Sequence, residues 1–126
     1  MCAGGVPVSN ITHAIDCVLA AIQFLSYIRS EKNLLKCSIR IGIHSGPVMG
    51  GVVEDWKYTY DIWGDSVNIA SRMESSGLPD KINISERTYE LVKDFFQCDF
   101  RCSGATFFSR ARPCGSFPGQ LLPDAR

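Results

Sequence analysis

Apolar residues recur at helical spacing across residues 14–28, where Ala14, Val18, Ala21, Leu25 and Ile28 fall on one stripe. Asn10 or Thr12 can cap the start, which predicts a core-packed helix running through about Arg29. Across residues 37–43 the period changes to two. Ile39, Ile41 and Ile43 share one face while Ser38, Arg40 and Gly42 share the other, the pattern of a half-buried strand. Residues 48–53 and 58–63 read as two further strands joined through Glu54-Asp55-Trp56-Lys57, a hairpin.

Gly64-Asp65 then opens a second helix, because an aspartate can accept the free amide donors of a first turn, and Gly77 followed by Pro79 closes it. Residues 81–84 form a short strand. Ser85 caps a third helix through about Phe95, with Leu91, Val92 and Phe95 expected to face inward, and residues 97–101 can add one more strand. This order mixes hairpins with crossovers, so the expected fold is an α+β sandwich, a mostly antiparallel sheet with its helices packed on one side.

Composition narrows the picture. With 126 residues the chain supports one domain, and 13 basic against 13 acidic side chains leave no net charge to attract nucleic acid or an anionic membrane. The longest apolar stretch, residues 14–28, contains Asp16 and Gln23 and is too short to span a bilayer. The start, Met1-Cys2-Ala3-Gly4-Gly5-Val6, lacks the pattern of a secretory signal, so a cytoplasmic location is expected. No two of the six cysteines have zinc-knuckle spacing, and Cys17 and Cys37 sit in apolar periodic segments, which favours reduced thiols. Character changes near Arg101. Residues 1–101 carry the periodic segments, whereas residues 102–126 hold Arg110, Arg112, Pro113, Pro118 and Pro123 without any period and read as an irregular or disordered tail.

Candidate chemistry concentrates between the second strand and the second helix. Asn68 and Arg72 are four residues apart and share a helix face, and Asp61 stands near the end of the preceding strand. A carboxylate, an amide and a guanidinium gathered at a strand-to-helix junction suit a nucleotide, the first accepting from a base amino group, the second holding a sugar, the third neutralising phosphate. Spacing alone also allows plainer roles. Asp61 can cap a turn, Asn68 can face solvent, Arg72 can balance the helix dipole, and His44 before Ser45-Gly46-Pro47 reads as a turn-stabilising or core histidine. Gly42, Gly46, Gly50 and Gly51 form neither a dinucleotide nor a Walker-type phosphate loop.

The run Tyr60-Asp61-Ile62-Trp63-Gly64-Asp65-Ser66-Val67-Asn68-Ile69-Ala70-Ser71-Arg72-Met73 resembles the catalytic domain of class III nucleotide cyclases, the adenylate and guanylate cyclases, and the similarity extends over roughly residues 1–101. The resemblance implies a βαββαβ-type domain used as a dimer. In it the ribose 3′-hydroxyl attacks the α-phosphorus and pyrophosphate leaves, so ATP becomes 3′,5′-cyclic AMP in cyclic-nucleotide signalling. It also implies roles: Asp61 for the base, Asn68 for orienting the ribose, and Arg72 for the charge that builds on the α-phosphoryl group. A carboxylate at Asp61 favours ATP, with GTP second.

In the family, two aspartates hold two Mg²⁺ or Mn²⁺ ions. They belong to a segment preceding the part matched by residues 1–7, and Asp16, Asp55 and Asp65 match other parts, so no metal ligand is assigned in this chain. The expectation is a cyclase-type domain inactive alone and dependent on a cyclase-domain partner. Alternative readings are a non-catalytic nucleotide-binding or dimerising module, or a degraded gene product. After Arg101 the family's glycine- and lysine-rich turn is not recognisable and Lys93 is the last lysine, as a change of reading frame would leave it.

Overall fold

The computed structural model describes residues 1–31, 38–54, 58–100 and 106–108. Its first element is helix α1 (His13–Ser30), whose buried positions Ala14, Val18, Ala21 and Leu25 are those of the apolar stripe. Thr12 stands at the cap without capping the backbone through its side chain. Asn10 organises the entry instead: its Oδ1 accepts the Thr12 N–H at 2.8 Å and its amide donates to Asp16 at 2.8 Å.

Strand β1 (Arg40–Ile43) is followed by the hairpin of β2 (Met49–Glu54) and β3 (Tyr58–Trp63), paired antiparallel as a two-stranded sheet. Helix α2 (Asp65–Ser75), strand β4 (Lys81–Ile84), helix α3 (Glu86–Val92), and strands β5 (Asp99–Phe100) and β6 (Thr106–Phe108) complete the described order. A four-stranded sheet runs β1-β4-β6-β5, with β1 and β4 parallel and the other two pairs antiparallel. The α+β class and the mostly antiparallel pairing are as expected.

The helices, however, lie on both faces of the sheet, where the pattern predicted one. Successive strand residues point to opposite faces. On β4, Ile82 and Ile84 are buried with Val18 and Leu25 of α1 and with Val92 and Phe96 at the α3 end. Asn83 between them is fully buried the other way, its amide donating to the Met73 carbonyl of α2 at 2.7 Å. Its register partner Gly42 faces the same helix, so close that a β-carbon there would overlap the backbone of Ala70 and Glu74. The non-isoleucine face of β1 and β4 is therefore a helix seat and not a solvent face.

Three smaller differences have local causes. Gly64 stands at the cap of α2 and Asp65 is the first helical residue, with no side-chain cap bond. In α3, Ser85 caps as expected, accepting from the Thr88 N–H, but Leu91 is exposed and the buried positions are Thr88 and Val92, followed by Phe96. Thr106–Phe108, within the stretch expected to be irregular, forms β6 because a Thr-Phe-Phe segment of strand-favouring residues meets the open side of β4. Cys2, Cys17 and Cys98 are free thiols, while Cys37, Cys102 and Cys114, the hairpin turn at residues 55–57 and the rest of the tail lie outside the described residues. No helix among the described residues is long and apolar enough to cross a membrane.

Candidate functional site

The junction between β3 and α2 is built by one residue. Gly64 has φ 134°, a region that residues with side chains rarely adopt, and this lets the strand turn directly into the helix. The Val67 N–H then donates to the Gly64 carbonyl at 3.0 Å. Ser66, buried on the inner face of the first turn, donates its hydroxyl to the Pro47 carbonyl at 2.7 Å and pins the helix to the segment after β1.

With Ser66, Ala70 and Glu74 on the side toward β1, helical periodicity puts Asn68 and Arg72 on the opposite, solvent side, about 6 Å apart along the axis. Both are exposed, and neither has a hydrogen-bond or ion-pair partner among the described residues. Asp61 is exposed on β3, opposite Gly51, over which the Trp63 ring lies. Its Oδ1 accepts the Ile62 N–H at 2.8 Å. The structure thus carries the three expected residues on two consecutive elements. It joins Asn68 and Arg72 on one face and makes no direct bond from Asp61 to either.

A cavity of about 710 Å³ lies elsewhere, between α1, β1 and α2, and Asp61, Asn68 and Arg72 are not among its walls. At one end stands His44, whose surroundings the sequence did not reveal. Its Nδ1 is 2.7 Å from the Ser85 hydroxyl, which is 3.2 Å from the Thr88 hydroxyl, which in turn donates to Ser45 at 3.1 Å. The other ring nitrogen, Nε2, is buried without a partner among the described residues. Burial, with a smaller push from the Arg87 guanidinium, holds the His44 pKa below its ordinary value, so the ring is neutral near pH 7. Ser45, Ser85 and Thr88 look like ordinary polar residues one at a time; only the pairing of β1 with β4 brings their ends together. Burial, with a smaller contribution from Cys2, pushes the Cys17 thiol up, which makes it a poor nucleophile.

Among the described residues no three His, Cys, Asp or Glu side chains are grouped so as to hold a metal ion. The donor set of the described residues does not fit a divalent pair.

Comparison with known proteins gives a consistent result. The family of adenylate and guanylate cyclase catalytic domains matches residues 1–112. The germination-specific adenylate cyclase of Dictyostelium discoideum is 44% identical over 84 residues, which is 65% of this chain and 10% of that protein. The non-canonical dimeric guanylyl cyclase domain of the RhoGC fusion protein from Blastocladiella emersonii superposes with a TM-score of 0.77 at 32% identity, covering 86% of this chain and 65% of that one. The guanylate cyclase domain of RhGC from Catenaria anguillulae in complex with GTP gives a TM-score of 0.76 at 34% identity, with the same coverage of 86% and 65%.

Proposed function

This chain belongs to the family of adenylate and guanylate cyclase catalytic domains, and on that premise we propose that β3 and α2 form the half of a nucleotide cyclase site that grips base, ribose and α-phosphate. The observation that carries the reading is the pair Asn68 and Arg72, exposed on one face of a helix that Gly64 and Ser66 hold rigidly against the sheet. Side chains so placed have no structural work among the described residues and are open to a ligand.

In the proposed reaction the ribose 3′-oxygen bonds to the α-phosphorus while the bond to the bridging oxygen of the leaving pyrophosphate breaks. Negative charge grows on the α-phosphoryl oxygens, and the Arg72 guanidinium stabilises it with charge-assisted hydrogen bonds. Asn68 orients the ribose so that the 3′-oxygen approaches in line, a positioning effect. Asp61 accepts from the purine. An acceptor there matches the adenine amino group, so ATP is the favoured nucleotide and cyclic AMP the product, in the cytoplasm where ATP is available.

Divalent metal ions are used by the family, and when bound they would supply charge to the phosphates from a partner domain. The proposed working unit is accordingly a pair of cyclase-type domains, this chain supplying Asp61, Asn68 and Arg72 and the second supplying the metal carboxylates, with no turnover by this chain alone. The Blastocladiella domain is solved both as a non-canonical dimer and as a monomer, and its dimeric form supports such pairing.

The test mixes the full chain with a complete cyclase domain whose own α-phosphate arginine is replaced by alanine, in Mn²⁺ with ATP or GTP. Cyclic AMP from the mixture and from neither component alone is the expected result. Product from this chain alone overturns its dependence on a partner, and cyclic GMP exceeding cyclic AMP overturns the role given to Asp61.

A further inference from the structure

Apart from Asn83, the buried polar side chains among the described residues are Ser45, Ser66, Ser85 and Thr88. Three of them continue one line of contacts that starts at the His44 ring: Nδ1 to Ser85 at 2.7 Å, Ser85 to Thr88 at 3.2 Å, and Thr88 to Ser45 at 3.1 Å. A hydroxyl has one proton to give. That of Thr88 goes to Ser45, so in the contact between Ser85 and Thr88 only Ser85 can donate. With its proton spent there, Ser85 meets the ring as an acceptor, and Nδ1 must carry the imidazole proton. The opposite tautomer would set two oxygens 3.2 Å apart with no proton between them and leave a buried N–H at Nε2 without an acceptor among the described residues.

The far end of this line reaches the proposed nucleotide face. Ser45 is followed by Gly46 and Pro47, and the Pro47 carbonyl accepts the Ser66 hydroxyl of α2 at 2.7 Å. Gly46 is clamped between helix and ring, because a β-carbon there would stand 2.5 Å from Ser66 Oγ and 3.0 Å from His44 Nε2. Residues 45–47 are thus held by Thr88 at one end, by Ser66 at the other and by the imidazole in the middle. Ser66 lies in the first turn of the helix that carries Asn68 and Arg72.

We infer that His44 is a positioning residue for α2. Its ring, with the proton on Nδ1, begins a one-way relay of hydrogen bonds through Ser85, Thr88 and Ser45 that fixes the turn on which the helix is anchored. The relay acts on a nucleotide only through the helix, by setting where the Asn68–Arg72 face points. The inference rests on the nucleotide site proposed above, and part of its readout is independent of that site.

Nuclear magnetic resonance on the isotopically labelled full chain tests it first. In a long-range nitrogen–proton correlation spectrum, at a pH where the ring is neutral, His44 is expected to show a protonated Nδ1 and a bare Nε2. Thr88→Val keeps the shape and removes the hydroxyl, which frees the Ser85 proton for the ring. The tautomer is then expected to change to Nε2–H, and the Val67 amide, bonded to the Gly64 carbonyl, to exchange at least about tenfold faster. In the two-domain assay the same variant should lose at least about tenfold in kcat with KM changed by less than about twofold. Thr88→Ser keeps the hydroxyl and should recover tautomer, exchange and kcat. A buried Nε2–H in the unaltered chain overturns the inference, and so does an unchanged tautomer in Thr88→Val, a loss carried by KM alone, or a loss that Thr88→Ser does not recover. Should Thr88→Val not fold, Ser45→Ala removes the last acceptor and lets the relay reverse, so it is expected to change the tautomer in the same way; an unchanged tautomer overturns the inference equally. If the unaltered mixture makes no cyclic nucleotide, the catalytic reading fails, and the tautomer and the Val67 exchange still decide the relay. A working assay with an Nε2–H ring sinks the relay alone.

Discussion

Gly42 and Asn83 are register partners across β1 and β4, and both turn toward α2, one by having no side chain and the other by binding the helix through its amide. Gly42→Ala must push the Ala70–Glu74 turn away, so the variant is expected to lose about 1–3 kcal/mol or more in urea unfolding. Asn83→Ala leaves the Met73 carbonyl and the Ser76 hydroxyl without the amide, which sits 2.7 and 3.2 Å away, and should lose about 1–3 kcal/mol.

Ile84 and Leu91 make an opposed pair for a stability measurement. Ile84 is 0% exposed inside the cluster between α1 and β4, and truncation to alanine should destabilise by about 2–5 kcal/mol. Leu91, 49% exposed, should lose less than about 0.5 kcal/mol on the same change. Comparable losses for the two would contradict the packing described for α3.

His44 gives a pH dependence of defined sign. Burial first, and Arg87 second, hold the folded imidazole below its ordinary value of 6.5, so the unfolded chain takes up the proton first. Its contribution to stability is fully present above about pH 6.5 and is lost as pH falls through that value toward the folded pKa, below which the loss stops. Urea midpoints recorded across this window should slope upward with pH, and His44→Gln should flatten the slope. An unchanged slope in the variant assigns the dependence to other groups.

In the two-domain assay, Arg72→Ala and Asn68→Ala are each expected to lower turnover by about 10²–10³, the usual effect of removing one stabilising donor, while unfolding midpoints stay put because both side chains are exposed. Asp61→Ala should change the ratio of cyclic AMP to cyclic GMP more than the total rate. A drop in thermal stability alongside the lost activity would count against a direct role.

Much of this layout was legible from residue order. The bounds of β3 and β4 coincide with the expected 58–63 and 81–84 because turn residues bracket both segments. The Asn68–Arg72 face was equally readable, since i and i+4 positions share a side of any helix. What failed was the assumption that a polar strand face is a wet one. Gly42 and Asn83 both fall on that face, yet a glycine that admits helix backbone and an amide that binds a carbonyl make it a packing surface. A seven-residue helix such as α3 is too short for its apolar stripe to be phased, and Thr88 is buried by virtue of its hydroxyl partners, which lie at the ends of other elements. The three-residue β6 is invisible to any period.

Gly64 also acts as a fulcrum. Arg72 stands about 12 Å along the axis from it, so a tilt of about 10° at the junction would swing the guanidinium by about 2 Å. Phosphoryl chemistry tolerates about 0.5 Å of misplacement. If Arg72 acts as proposed, a side chain at position 64 would therefore silence the site without touching it, by aiming the lever elsewhere.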